Sequence, residues 1–385
     1  MKYVLKNKFK RALVYVLDTA GYALKRAGEV QSPIGFSKNA DFHSILLIRM
    51  DHIGDVLSAS AAPKLIKQND PHARLYFLTS SWAAPLLEGN PFIDELIIYD
   101  APWFSRCKYV KNGPKGLGFF QLARVLRQKK IELGLAFRGD LRENFLMAIA
   151  GIRHRVGTGI TGGGFMLTHE VSYRSGDHET RRLANILKIA GISAGNLSTQ
   201  LYFTDEEKAD FKGRLAKWGV DLNKPLIGFQ AEAGTPAKNW PAEHAASFLE
   251  GLIQQFPDFQ VLLLGAASKN FLLKKLKSPR IIDLTGRTSL KDLMLLTGFL
   301  KFFVGPDSGP AHIACAGGVR TVFLYSGTNV FEEWKPLSEN TVVLRREVPC
   351  APCNRTHCNV PGHPCMSRIT PQSVLEILGN EIKNL

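Results

Sequence analysis

At 385 residues the chain is long enough for two domains, each burying a core of its own. Hydrophobic content of 45% and charged content of 22% are those of an ordinary soluble globular protein, and no apolar run approaches the ~20 residues a spanning helix needs. The net charge of +15 favours an anionic partner, whether nucleic acid, an acidic membrane surface or a phosphorylated substrate.

The densest basic group lies in the first 26 residues, which suits a membrane surface better than a nucleic-acid groove. Residues 1 to about 30 read as a basic amphipathic helix, with Lys2, Lys6, Lys8, Lys10, Arg11, Lys25 and Arg26 set among Val4, Leu5, Phe9, Leu13, Val16 and Leu17. Such a helix lies in a bilayer interface or packs on its own domain, and the first reading is preferred here. Its apolar stretch, Ala12 to Leu17, is short, is broken by Asp18 and lacks a small-residue cleavage site, so no signal peptide is read and a cytoplasmic protein, peripheral at the inner membrane, is expected. Residues 31 to 42 read as a linker.

From there strands alternate with helices, the pattern of βαβ units and a parallel sheet. Ile45 to Arg49, Ala73 to Thr79, Glu95 to Tyr99 and Leu133 to Phe137 read as strands. A helix is expected after the first of them, to about Gln68, and another stretch of helix between the second and third. Arg153 to Gly157 is a basic turn into a short strand, Gly159 to Gly164 a flexible loop, and His178 to Ala190 a helix. Near residue 200 the pattern resets. Leu226 to Phe229, Val261 to Leu264, Ile281 to Leu284, Phe302 to Val304 and Thr321 to Tyr325 form a second strand series. The expected organisation is an arm and linker over 1–40, an N-terminal Rossmann-like domain over 41–200 and a C-terminal one over 201–385, both sheets presenting carboxyl ends to a cleft.

Ligands of open α/β sheets bind at those carboxyl ends. Gly54-Asp55 follows the first strand. A carboxylate there serves as a general base for a hydroxyl, or simply complements a helix dipole. The loop QAEAGTPAKNW, Gln230 to Trp240, carries Lys238, able to neutralise a diphosphate. The turn GPDSGPAH brings Asp307, Ser308, Gly309 and His312 to the start of a helix whose amides suit a phosphate, with Ser308 as its cap. Gly286 in TGRTSL lines the same edge. None of these loops of the second strand series has the G-x-G-x-x-G fingerprint of a dinucleotide fold or the lysine-bearing P-loop, so hydride transfer and ATP hydrolysis lose support. Arg138, Arg142 and Arg153 are candidate acceptor contacts. Cys350-x2-Cys353-x4-Cys358-x6-Cys365 points to a structural zinc site or a cluster of reduced thiols, and Cys107 and Cys315 to buried thiols.

Several of these segments together resemble the glycosyltransferase family 9 heptosyltransferases: ILLIRMDHIGDVLSASAAPKLIKQNDPHARLYFLTS, then LTGRTSL, then FFVGPDSGPAHIACAGGVRTVFLYSGT, and the closing cysteine pattern to Met366. The resemblance spans residues 44 to about 375. It implies a GT-B fold and an inverting transfer that needs no cofactor or catalytic metal, with a nucleotide-diphospho-sugar, typically ADP-heptose, as donor. The acceptor it implies is an anionic lipid-linked glycan of the lipopolysaccharide core. It places the catalytic base on Asp55, the phosphate-contacting lysine on Lys238, and the donor motif on Asp307, Ser308, Gly309 and His312. Two other readings remain: a nucleotide-sugar epimerase on the same fold, and a zinc-stabilised nucleic-acid binder. The latter ranks last, and no nucleic-acid partner is expected, because aromatic side chains are not interleaved with the basic ones.

Overall fold

The computed structural model describes residues 8–28, 42–103, 117–194, 197–266, 276 and 278–384. Lys2, Lys6, most of the linker and Cys107 lie outside them. The chain divides into two compact units, Met1–Thr199 and Gln200–Leu385.

In the first unit the order is α1 (Lys8–Gly28), β1 (Ser44–Ile48), α2 (Ile53–Ala59), α3 (Ala62–Asn69), β2 (Arg74–Thr79), β3 (Glu95–Ile98), α4 (Phe119–Gln128), β4 (Leu133–Ala136), α5 (Leu141–Ile149), β5 (His154–Gly157), β6 (His169–Glu170) and α6 (Glu179–Ile189). The strands form a parallel sheet of order β3-β2-β1-β4-β5-β6. Ile45 through Ile48 are buried on both faces of β1, as a strand covered by helices on either side requires. Leu46 and Ile48 join one face of this core with Leu78, Leu126 and Met147.

The second unit runs α7 (Asp205–Lys217), β7 (Leu226–Phe229), α8 (Ala242–Gln255), β8 (Gln260–Leu263), β9 (Ile281–Asp283), α9 (Leu290–Leu296), β10 (Leu300–Pro306), α10 (Gly309–Ala316), β11 (Arg320–Tyr325), α11 (Phe331–Trp334), β12 (Thr341–Arg345), α12 (Pro364–Ser367) and α13 (Pro371–Lys383). Its sheet is also parallel, of order β12-β11-β10-β7-β8-β9, the same winding as the first. Phe302 and Val304 pack on one face with Phe229 and Phe248. Phe303 packs on the other with Phe211 and Phe323. Gly228 allows this: a Cβ there would lie 2.9 Å from Leu300 and 3.1 Å from Phe303.

Three local expectations are corrected. The helix after β1 is broken at Ser60-Ala61, because Pro63 in the first turn of α3 would drive its ring into the carbonyl of Ala59 in a continuous helix. Between β2 and β3 there is a single 3-10 turn, Ala84–Leu86, followed by Gly89 in the left-handed region at φ +78°. The glycine run 159–164 packs against α1: the Asp18 carboxylate accepts from the Gly163 N–H at 2.8 Å, and Lys25 donates to the Leu167 carbonyl at 2.7 Å. Tyr22 bonds Glu170, and Gly21 sits so close to the Phe165 ring that a Cβ would lie 2.5 Å from it.

Candidate active site

In each unit the winding reverses between two neighbouring strands, β1 and β4 in the first and β7 and β10 in the second. A crevice opens at such a switch point beyond the carboxyl ends. The chemistry-bearing loops follow these four strands.

Beyond β1, Arg49 is 2% exposed and holds three carboxylates. Its Nε donates to Asp51 Oδ1 at 2.7 Å, Nη2 to Asp55 Oδ1 at 2.7 Å, and Nη1 to Glu179 Oε1 at 2.6 Å and to the Phe137 carbonyl at 3.0 Å. Asp55 stands in the first turn of α2, and its other oxygen lies 3.1 Å from Nδ1 of His52, whose side chain is largely exposed. Burial would raise the pKa of Asp55, but the Arg49 guanidinium and the His52 contact outweigh it and hold the carboxyl well below its usual range. Asp51 goes the opposite way, pushed up by burial although Arg49 opposes it. Of the two, Asp55 is the carboxylate more firmly held in its charged form. Ligand atoms of Asp51, His52 and Asp55 lie within 4.8 Å of one another, but Arg49 already supplies a cation to both carboxylates.

Beyond β4, Arg138 Nε lies 3.8 Å from Asp51 and 3.9 Å from Asp140. Arg142 makes a bidentate pair with Asp140, at 2.7 and 2.6 Å, and lies over the Trp103 ring at 4.6 Å. Asp140 also caps α5 by accepting from the Arg142 N–H. Arg153 is excluded from this group: it precedes β5, at the amino edge of a parallel sheet whose carboxyl edge carries Asp55 and Arg138. Glu143, in the first turn of α5, is 0% exposed with neither carboxyl oxygen hydrogen-bonded. Burial and the Asp140 charge push its pKa well up, which favours the neutral acid.

In the second unit the centre is Asp307, at the end of β10 and 4% exposed. Lys238, closing the 3-10 turn Pro236–Lys238 beyond β7, donates to its Oδ2 at 2.5 Å. His312 Nε2 lies 3.1 Å from Oδ1, and Asn329 Nδ2 donates to Oδ2 at 3.2 Å. Burial alone would raise this carboxyl; the His312 hydrogen bond and the Lys238 charge bring it down to about 2. Ser308 occupies the N-cap position of α10 but does not cap it. Its hydroxyl donates to Gln230 Oε1 at 2.8 Å and so ties the β10 turn to the β7 turn. Gly309 opens α10, and Gly286, at φ +69°, turns the chain after β9 with its N–H on the Gly265 carbonyl at 2.9 Å.

Cys350, Cys353, Cys358 and Cys365 line one cavity with Gly327, and all four are free thiols. As placed, no three of these sulfurs lie within 4.8 Å of one another, whereas among the described residues the ligand atoms of Asp51, His52 and Asp55 do. What the segment does is brace the lysine turn, since the Ala237 N–H donates to the Thr356 carbonyl at 3.0 Å and His363 Nε2 lies 2.9 Å from the Ala237 carbonyl. Cys315, read as buried, is partly exposed, and its sulfur lies 3.3 Å from the Thr341 hydroxyl.

The family model described as glycosyltransferase family 9 (heptosyltransferase) matches residues 119–363, well over half the chain. The protein belongs to glycosyltransferase family 9. This glycosyltransferase is 24% identical over 341 residues to the lipooligosaccharide heptosyltransferase 2 of Campylobacter jejuni, with 86% of this chain and 96% of that one covered. It shares the fold of the Escherichia coli ADP-heptose lipopolysaccharide heptosyltransferase II, with a TM-score of 0.69, 23% identity, and 89% of this chain and 99% of that one covered. A family 9 glycosyltransferase from Veillonella parvula superposes with a TM-score of 0.76 at 18% identity, covering 92% of this chain and 100% of that one. The GT-B fold of these transferases is thus the fold here.

Sequence reasoning missed Arg49, Glu179, Gln230 and Asn329. An arginine ending an otherwise apolar strand, in ILLIRMD, was a usable signal for the first, because an unpaired cation there has no solvent to meet. The others are set by contacts across 22 to 130 residues.

Proposed function

We propose that the protein transfers a heptose from ADP-heptose to a lipopolysaccharide core or a related anionic, lipid-linked glycan, with inversion at the anomeric carbon. The observation that carries this is that each sheet holds a charged group beyond its own switch point, an ionised Asp55 in the first unit and the Lys238–Asp307–His312 group in the second. Family membership and the named substrates of the relatives support it.

In this reading the acceptor hydroxyl meets Asp55 Oδ2, the oxygen Arg49 leaves open. Asp55 has low proton affinity, so it accepts the proton late, once bonding to the sugar has made that hydroxyl acidic. On the donor side Lys238 is held by Asp307 through one of its three protons, which leaves the others for the departing diphosphate. The first-turn amides of α10 at Gly309 and Ala311, with Ser308, His312 and Gly286 around them, complete the donor pocket. Arg138 and Arg142 meet the acid groups of the acceptor, each already aligned by Asp140. No step needs a metal in this scheme.

Thermal-shift titration against ADP-, UDP-, GDP- and dTDP-sugars tests the donor. A ligand at 100 times its Kd stabilises by about 2.7 kcal/mol, and the account predicts that response for ADP-heptose. Product analysis then separates transfer from its rival: a glycosylated acceptor is expected, and an altered free nucleotide-sugar with unmodified acceptor would mark an epimerase.

A further inference from the structure

Helix α1 faces outward with the side that a helix serving its own core would turn inward. Asp18, Gly21, Tyr22 and Lys25 are spent on the 159–170 loop. Phe9, Leu13, Val16, Leu17, Ala20 and Leu24, spaced as one helical stripe, are all exposed, Phe9 at 78% and Leu24 at 75%. The helix carries Lys8, Lys10, Arg11, Lys25 and Arg26 against one carboxylate. That carboxylate, Asp18, is buried on the Gly163 amide. No described helix is long and apolar enough to cross a membrane.

We infer that α1 is an in-plane anchor whose outward stripe lies in the interface of an anionic bilayer, which the net positive charge of the helix favours. Charge selects this occupant over a second copy of the chain, because two such faces brought together would oppose cation to cation. The docked side fixes what the anchor presents. Gly163 packs on Leu141, a Cβ there lying 3.3 Å from that residue, and the Leu141 N–H donates to the Thr161 hydroxyl at 2.9 Å. Leu141 is flanked by Asp140 and Arg142, so the anchor adjoins the carboxyl edge of the first sheet, the edge that bears Asp55. A lipid-linked acceptor would then meet this edge at the surface where its own lipid is embedded.

The test is flotation of the full chain with vesicles of phosphatidylglycerol and phosphatidylethanolamine, against vesicles of phosphatidylcholine alone. Binding is expected to the anionic vesicles, weakened by salt, and at least about tenfold weaker to the neutral ones. The triple variant Leu13→Ser, Leu17→Ser, Leu24→Ser should lose more than about tenfold of that binding and keep its turnover on a delipidated acceptor. In a second variant, Leu17→Trp, indole fluorescence should shift to the blue on anionic vesicles and be quenched by brominated lipid. Equal binding of parent and triple variant, no indole shift, or a parent dimer that the triple substitution splits without any change at the vesicle would each overturn the inference. Vesicle binding does not depend on which sugar the site takes, so the anchor and the transferase reading can fail separately.

Discussion

Arg49 is the residue on which the carboxylate group beyond β1 turns. Three carboxylates share one buried guanidinium, and burial, which lowers its pKa, is outweighed by their charges. Arg49→Met should therefore cost about 3–5 kcal/mol in urea unfolding, because it strands buried charge rather than removing one contact. Glu143 behaves oppositely. It is buried, its carboxyl oxygens have no hydrogen-bond partner and its pKa is pushed well up, so Glu143→Met should be neutral or stabilising by the same measurement. In the second unit Asp307 has a folded pKa of about 2, below the roughly 3.9 of an unfolded aspartate. A depressed carboxyl contributes stability above its unfolded value and loses it as pH falls through the folded one. Asp307→Asn should therefore narrow the loss of stability between about pH 4 and pH 2, while lowering stability at neutral pH.

At the scale of elements, the two sheets were legible because buried parallel strands write themselves as apolar runs, ILLI in β1 and FFV in β10. The turns beyond them were legible because Gly54-Asp55 and Asp307-Ser308-Gly309 combine a carboxylate with a glycine where a strand meets a helix. The partners of those carboxylates were not, since Arg49–Glu179 and Lys238–Asp307 join loops far apart in the chain and no local period announces them. The same holds for β12, whose place beside β11 depends on half-buried edge contacts, and for the cysteine segment, where thiol spacing suggested metal and the fold uses the loop as a brace. His363 makes that brace testable. It sits in the left-handed region at φ +47° and ties the segment to the Lys238 turn. His363→Ala should raise the donor KM several-fold and move kcat less, since it loosens a phosphate ligand without touching the base.

At the scale of the whole molecule, two sheets of identical winding carry Asp55 and the Lys238–Asp307 pair beyond equivalent strands of separate units. In the proposed account the net charge of +15 serves two ends, the acid groups of the acceptor and a lipid surface. Because Asp55 stays ionised far below neutrality, kcat/KM should show no acid limb from this group above about pH 4. An acid limb near pH 6 that disappears in Asp55→Asn would mean that Asp55 titrates where Arg49 should forbid it. The most direct test of the account joins two readouts on the variant Asp55→Asn, ADP-heptose binding by calorimetry and transfer to acceptor. The account predicts donor affinity within about twofold of the parent and kcat lower by about 10²–10⁴-fold. Turnover at the parental rate with donor bound would contradict it.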